Sequence, residues 1–321
     1  MQGFFDIIFS VEFGYAVLRV ATPILFAAMG ALISDKAGVI NIALEGIMLF
    51  AALTGVIFSA LTQSALVGLL CAVFVGALVG MVLAYFALNL KTDVILSAIA
   101  INLMAMGGTV FIMFLVAGDK GISSSLASMV LPKLNLPLIQ DIPILGSILS
   151  GHNVLTYVAI LAVVALQYFL YKTPLGLQIR AVGENPEAAD SVGISVIKTQ
   201  YIALTLSGLL AGFGGAYMSM GYVSWFSQNM TAGRGFIALA ANAMGGATPI
   251  GVFLTSMLFG FFDALSNSLQ SLRIPGEFVQ MIPYAATVIG LVVYAINKSN
   301  KIKRIHSMHN LAGKKESEET V

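Results

Sequence analysis

"ALVGLLCAVFVGALVGMVLAYFAL" fills residues 65–88 without one Asp, Glu, Lys or Arg. It exceeds the roughly 20 apolar residues that carry a helix across a bilayer core. Runs of the same kind recur near 15–33, 38–61, 94–117, 153–171, 199–222, 249–270 and 278–296. A shorter one at 234–247, "RGFIALAANAMGGA", is glycine-broken and reads as a short crossing or a half-helix. Only helices and closed barrels satisfy their backbone inside lipid, and long unbroken apolar runs select the helix. The fold class expected is an all-α polytopic membrane protein with about 8–10 transmembrane helices.

Composition agrees. Of 321 residues, 58% are hydrophobic and 10% charged, against about 25% charged in a soluble domain. The mean hydropathy is +0.93. The 32 glycines suit helices that approach closely in lipid. A net charge of +1 gives no electrostatic reason to bind nucleic acid. Residues 1–297 read as one transmembrane domain holding a polar loop at 172–198, and 298–321 as a polar tail ending "GKKESEETV". The start, "MQGFFDIIFSVEF", lacks a basic segment and a cleavage site, so the first spans are expected to act as their own insertion signals. The stretch 118–152 carries Pro132, Pro137 and Pro143 and reads as an external loop with one short interfacial helix.

Loop charges orient the chain. With 172–198 inside, the cytoplasmic set is Lys36, Lys91, Lys172, Arg180, Lys198 and the tail residues Lys298, Lys301, Lys303, Arg304, Lys314 and Lys315. The outside keeps Lys120, Lys133, Arg234 and Arg273. The bias puts the C-terminus in the cytoplasm, and the N-terminus outside if 234–247 crosses.

Enzyme chemistry lacks its parts. There is no G-x-x-x-x-G-K-[ST] for ATP and no H-E-x-x-H. The histidines, His152, His306 and His309, have no metal-ligand spacing, and Cys71 stands alone. No catalytic residue and no metal or cofactor site is expected, and a conduit is favoured over a catalyst.

The polar exception is "RAVGENPEAADSVGI", residues 180–194. Asn185 suits an N-cap, Pro186 the first helical position, Glu187 the dipole-favoured first turn, and Gly193 the C-terminal stop. Two readings stand: a small helix with Ala188 and Ala189 as a flat face for a cytoplasmic partner, or a solvated loop with incidental helicity.

Inside the spans, Arg19 is expected to snorkel outward, or to pair with Asp263 if their helices touch. Asn41 and Glu45, in "GVINIALEGIM", are read as one helical face at i, i+4, serving as pathway lining, helix-break support or interhelical hydrogen bonding. "IAINLMAMGG" (99–108) and "ALAANAMGG" (238–246) resemble each other. In each an asparagine, Asn102 or Asn242, precedes a glycine pair, Gly107 and Gly108 or Gly245 and Gly246. Their amides suit a nucleobase edge or ribose hydroxyls, or helix packing. Phe111, Phe114 and Phe236 are stacking candidates or lipid-facing. Trp225 reads as part of an outer aromatic belt or of a docking surface.

"TPLGLQIRAVGENPEAADSVGI" (173–194) followed by "SGLLAGFGGAYMS" (207–219) resembles the cytoplasmic loop and next span of bacterial ABC importer permeases of the branched-chain amino acid, ribose and nucleoside superfamily. "ATPILFAAMGALISDKAGVINIALEGIMLFAA" (21–52) and "GRGFIALAANAMGGATPIGVFLTSMLFG" (233–260) look most like the nucleoside, guanosine-type members. The resemblance covers roughly 15–297 and implies a multi-pass protein of a bacterial cytoplasmic membrane. It implies that Arg180, Glu184, Asn185, Pro186, Glu187, Ala188 and Ala189 dock on a separate ATPase subunit that hydrolyses the ATP. It further implies a second, perhaps non-identical permease in the pore and a lipoprotein that delivers nucleoside from outside. A permease for ribose-like sugars or branched-chain amino acids stays open. So do an ion-driven nucleoside transporter using Glu45 and Asp263, and a scaffold protein that moves no substrate.

Overall fold

The computed structural model describes residues 10–135 and 145–269, and further on 285, 287–292 and 295–296. Among these, seven helices are long and apolar enough to cross a membrane. They belong to an all-α chain whose elements run as follows. Helices α1 (Val11–Lys36), α2 (Leu44–Thr62), α3 (Ala65–Ala84) and α4 (Val94–Ala117) come first. Strand β1 (Lys133–Leu134), α5 (Leu145–Leu149) and β2 (His152–Asn153) lie in the long loop between α4 and the next span. Then come α6 (Val154–Lys172), the polar pair α7 (Pro174–Glu184) and α8 (Pro186–Ser191), and α9 (Val196–Tyr217). Last are the short α10 (Arg234–Met244) and α11 (Pro249–Leu269). The expected span at 278–296 lies mostly outside the described residues, and the tail 298–321 and Arg273 lie wholly outside them.

The bundle has a centre and a rim. In its most apolar stretch α1 is 78% buried and α2 72%, whereas α4 is only 28% buried. Both kinds of helix are greasy, so hydropathy alone could not sort them. Packing surface can, because association within lipid depends on close backbone approach rather than on hiding apolar area. Where α3 crosses α9, Gly76 and Gly80 face Gly208 and Gly212. A Cβ on Gly76 would sit 2.5 Å from the Gly208 carbonyl oxygen, and one on Gly208 would sit 2.3 Å from that of Gly76. Any side chain there would push the two helices apart. A single π turn closes α3 (Tyr85–Asn89) and another closes α9 (Met218–Tyr222).

Two segments break the helical pattern inside the bundle. Helix α1 ends where Gly38, at φ +75°, turns the chain, and residues 37–43 stay non-helical before α2 starts at Leu44. The span expected at 38–61 is therefore shorter, and Asn41 and Glu45 do not share a helical face. Asn41 lies in the break and Glu45 in the first turn of α2. The second break follows α9. Residues 223–233 are tied to the loop after α4 by Gln228 N–H donating to the Gly121 carbonyl (2.8 Å) and Ser123 N–H donating to the Phe226 carbonyl (2.9 Å). They then pass inward to α10. That helix of 11 residues is about 16 Å long, half of a bilayer core, and so is the half-helix alternative.

Candidate functional site

The two breaks meet at Glu45. Its side chain, 7% exposed, accepts from Gly233 N–H at Oε1 (2.8 Å) and from Gly235 N–H at Oε2 (2.7 Å). Helix α10 has no side-chain cap of its own, since Gly233 occupies the cap position. A carboxylate from α2 supplies the missing acceptor, and the helix dipole favours an anion there. The approach needs glycine. A Cβ on Gly235 would lie 2.5 Å from the Glu45 amide nitrogen, and Gly233 holds φ +80°.

The break at 37–43 is braced by three asparagines. Asn41 donates from Nδ2 to Ser207 Oγ on α9 (2.9 Å), and its Oδ1 accepts from Ala43 N–H (3.0 Å). Asn102, on α4, accepts from Gly46 N–H (2.8 Å) and donates to the Ile42 carbonyl (3.0 Å). Asn242, on α10, donates to the Asp35 carboxylate at the end of α1 (2.9 Å). The four polar residues singled out in the sequence thus fall on one connected region, and most of their hydrogen-bonding capacity goes to tying helices together. Buried polar groups need such partners. The amide oxygen of Asn242 and the hydroxyls of Thr231 and Ser256 are buried with no hydrogen-bond partner among the described residues. Among the described residues no His, Cys, Asp and Glu cluster could hold a metal ion.

The charges pair otherwise than expected. Asp263 binds Arg234 (3.0 Å), not Arg19, and both side chains are 14% exposed. Arg19 instead lies over the Tyr222 ring, 4.6 Å from its centroid. Arg234 is the residue the sequence reading assigned to an outer loop. It is enclosed because the chain before α10 dips into the bundle. Phe111 and Phe114 are exposed on α4, the least enclosed helix, and Phe236 is half-exposed on the first turn of α10. Trp225 is 43% exposed beside the loop after α4. Asp35 and Ser207 were missed. A lone acid near a span end and a serine within a span carry no pattern of their own.

The polar loop at 172–198 is two helices, not one. Thr173 caps α7 by accepting from Gly176 N–H (3.1 Å), with Pro174 at its start, a signal as readable as the one used for α8. Asn185 Oδ1 caps α8 by accepting from Ala188 N–H (3.0 Å), and Gly193 follows at φ +84°. Ala188 and Ala189 do not form one flat face: Ala189 is buried and Ala188 exposed, together with Glu184, Asn185, Pro186, Glu187 and Asp190. Val192, just past the end of α8, is 75% exposed, an apolar side chain with no signal in the sequence pattern. Arg180 turns inward, donating from Nε to the Leu170 carbonyl (3.0 Å) with its guanidinium over the Tyr171 ring. In the last turn of α7, a Cβ on Gly183 would lie 2.1 Å from the Lys36 carbonyl oxygen. The α7–α8 hairpin therefore rests on the end of α1, where the first break begins.

Residues 15–296 match the family described as branched-chain amino acid transport system, permease component. The nucleoside ABC transporter permease protein NupC of Lactococcus lactis is 36% identical, over 87% of this chain and 90% of its own. The guanosine ABC transporter permease protein NupQ of Bacillus subtilis is 37% identical, over 86% and 89%. A putative glucose ABC transporter permease protein of Haloferax volcanii is 34% identical, over 81% and 78%. No solved structure matches.

Proposed function

We propose that this chain, which belongs to the permease components of the branched-chain amino acid transport type, is the membrane subunit of an ATP-driven importer that moves nucleosides into a bacterial cell. Its similarity to nucleoside and guanosine permeases along most of both chains supports the substrate class. One structural observation supports the mode of action: an outward-facing, self-capped helix pair seated directly on the break at the bundle centre.

The ATPase subunit binds the exposed face of α8, made of Glu184, Asn185, Pro186, Glu187, Ala188, Asp190 and Val192. Arg180 belongs to the anchoring of the hairpin rather than to the contact. Displacement of α8 passes through Gly183 to Lys36–Gly38, because backbone in contact with backbone leaves no slack. From there it reaches residues 37–43 and Glu45, which holds the N-terminus of α10. Helix α10 has glycine at both ends, Gly233 at φ +80° and Gly246 at φ +62°, and can move as one rigid piece. Its half-exposed Phe236 and the free amide oxygen of Asn242 lie on the substrate pathway. A second permease completes the pore, a lipoprotein delivers substrate, and the hairpin side, with the C-terminus, faces the cytoplasm.

The deciding experiment is uptake into vesicles carrying the chain with its ATPase, the second permease and the lipoprotein, using radiolabelled guanosine, uridine, glucose, ribose and leucine in parallel. Nucleoside uptake that needs internal ATP and survives ionophores is the expected result. Glucose uptake alone would move the assignment toward the haloarchaeal relative's substrate. Ionophore-sensitive, ATP-independent uptake would reverse the mechanism, and no uptake at all would leave the scaffold reading.

A further inference from the structure

A groove of about 220 Å³ opens between α1, α6 and α9, with Ile33, Ala162, Ala165, Phe169, Leu206 and Leu210 among its walls. The lining is apolar throughout, so water has no partners there. The opening exists because two alanines on α6 stand opposite leucines on α9. In a membrane such a groove takes a hydrocarbon chain, and charge at its end decides which one.

That end is basic. Lys36 follows Ile33 by three residues on α1, and Lys172 follows Phe169 by three on α6, so each lies one turn beyond a groove residue on the same side of its helix. Lys36 is half-buried and Lys172 exposed. Neither joins an ion pair among the described residues, where the pair formed is Arg234–Asp263. The neighbouring acid, Asp35, is turned to Asn242. Arg180, bound to the Leu170 carbonyl next to Phe169, adds a third positive charge.

We propose that this groove seats one acyl chain of an anionic phospholipid, with its headgroup at Lys36 and Lys172. The proposal rests on the membrane-spanning reading of α1, α6 and α9 and not on the identity of any transported substrate. An anionic headgroup at a membrane surface gains about fivefold in local partitioning from each nearby basic side chain. The site therefore selects by charge, whereas a bare groove would take any lipid. A bound lipid would also brace the junction of α1 and α6 with the α7–α8 hairpin.

The test uses the full chain carrying Trp225→Phe and Tyr168→Trp, which puts the one indole at an exposed position of α6 beside the groove residues Ala165 and Phe169 without filling the groove, reconstituted in phosphatidylcholine–phosphatidylglycerol vesicles. Bromine is placed on the acyl chains of one lipid or the other. The expected result is indole quenching several-fold stronger from brominated phosphatidylglycerol than from brominated phosphatidylcholine at equal mole fraction. Lys36→Gln with Lys172→Gln should bring the ratio to one. Equal quenching in the parent, a preference that survives the double glutamine variant, or no quenching by either lipid because protein covers the groove would each overturn the proposal. Should the tryptophan variant fail to fold, native mass spectrometry of the unsubstituted chain decides. Phosphatidylglycerol adducts must be retained there and lost in the glutamine variant.

Discussion

Two short helices, α8 and α10, depart from the long spans around them, and they are held in opposite ways. Helix α8 carries its own start signal: Asn185 caps it three residues from the amide it binds, and Pro186 fixes its first turn. Helix α10 carries none. Its cap is Glu45, 188 residues away in sequence from Gly233, and its far end is tied to Asp35, 207 residues from Asn242. A helix capped locally keeps its shape wherever it is pushed, which suits a part that contacts a partner. A helix capped remotely keeps its place only while another element holds it, which suits a part that must change place.

The sharpest way to break this comparison is Glu45→Ala. It leaves one buried and one half-buried N–H donor without an acceptor, at a cost of about 3 kcal/mol. The thermal unfolding midpoint in detergent should fall clearly and uptake should be lost. An unchanged midpoint would mean that α10 does not depend on its remote cap. Glu45→Gln, which keeps one acceptor oxygen, should fall between.

Next comes Gly183→Ala, which sets a Cβ where the Lys36 carbonyl stands. Overpacking of this kind costs roughly 1–3 kcal/mol. ATPase binding through α8 should persist while ATP-driven uptake drops at least tenfold, a split read by pull-down beside transport. Loss of both together would mean that Gly183 shapes the hairpin rather than links it to α1.

Asn185→Ala should cost about 1 kcal/mol, confined to α8. The midpoint of the bundle should hardly move, ATPase affinity should fall a few-fold, and Asn185→Asp should restore it. The smallest effect on the fold is expected for Ala188→Arg, at an exposed position. Stability stays as it is, and recovery of the ATPase subunit in a pull-down from native membranes is abolished. Ala189→Arg, at a buried position, would disturb the helix itself and serves as the contrast.

What was legible in the sequence follows the same division. Long apolar runs located the seven described spans because lipid imposes one requirement, an internally bonded backbone, on every residue of a crossing. Asn185–Pro186 located α8, and Thr173–Pro174 could have located α7, because capping acts over three residues. Arg19 is exposed, as snorkelling requires, and the alternative pairing with Asp263 does not form. Charge chemistry says that a buried carboxylate needs a cation without saying which, and the descent of 223–233 into the bundle brings Arg234 closer. Asn41 was misplaced on a helix because "GVINIALEGIM" is apolar enough to continue one, while Gly38 and the braces from Ser207 and Asn102 stabilise the break.

By itself the sequence determined that this is a multi-spanning helical protein with one short capped helix in a polar loop, since hydropathy and capping are local properties of neighbouring residues. Only the tertiary structure decided which greasy helix is central, which carboxylate caps which helix, and that the hairpin stands on the end of α1. Those depend on backbones meeting at glycines and on side chains finding partners from distant parts of the chain, and no local pattern encodes either.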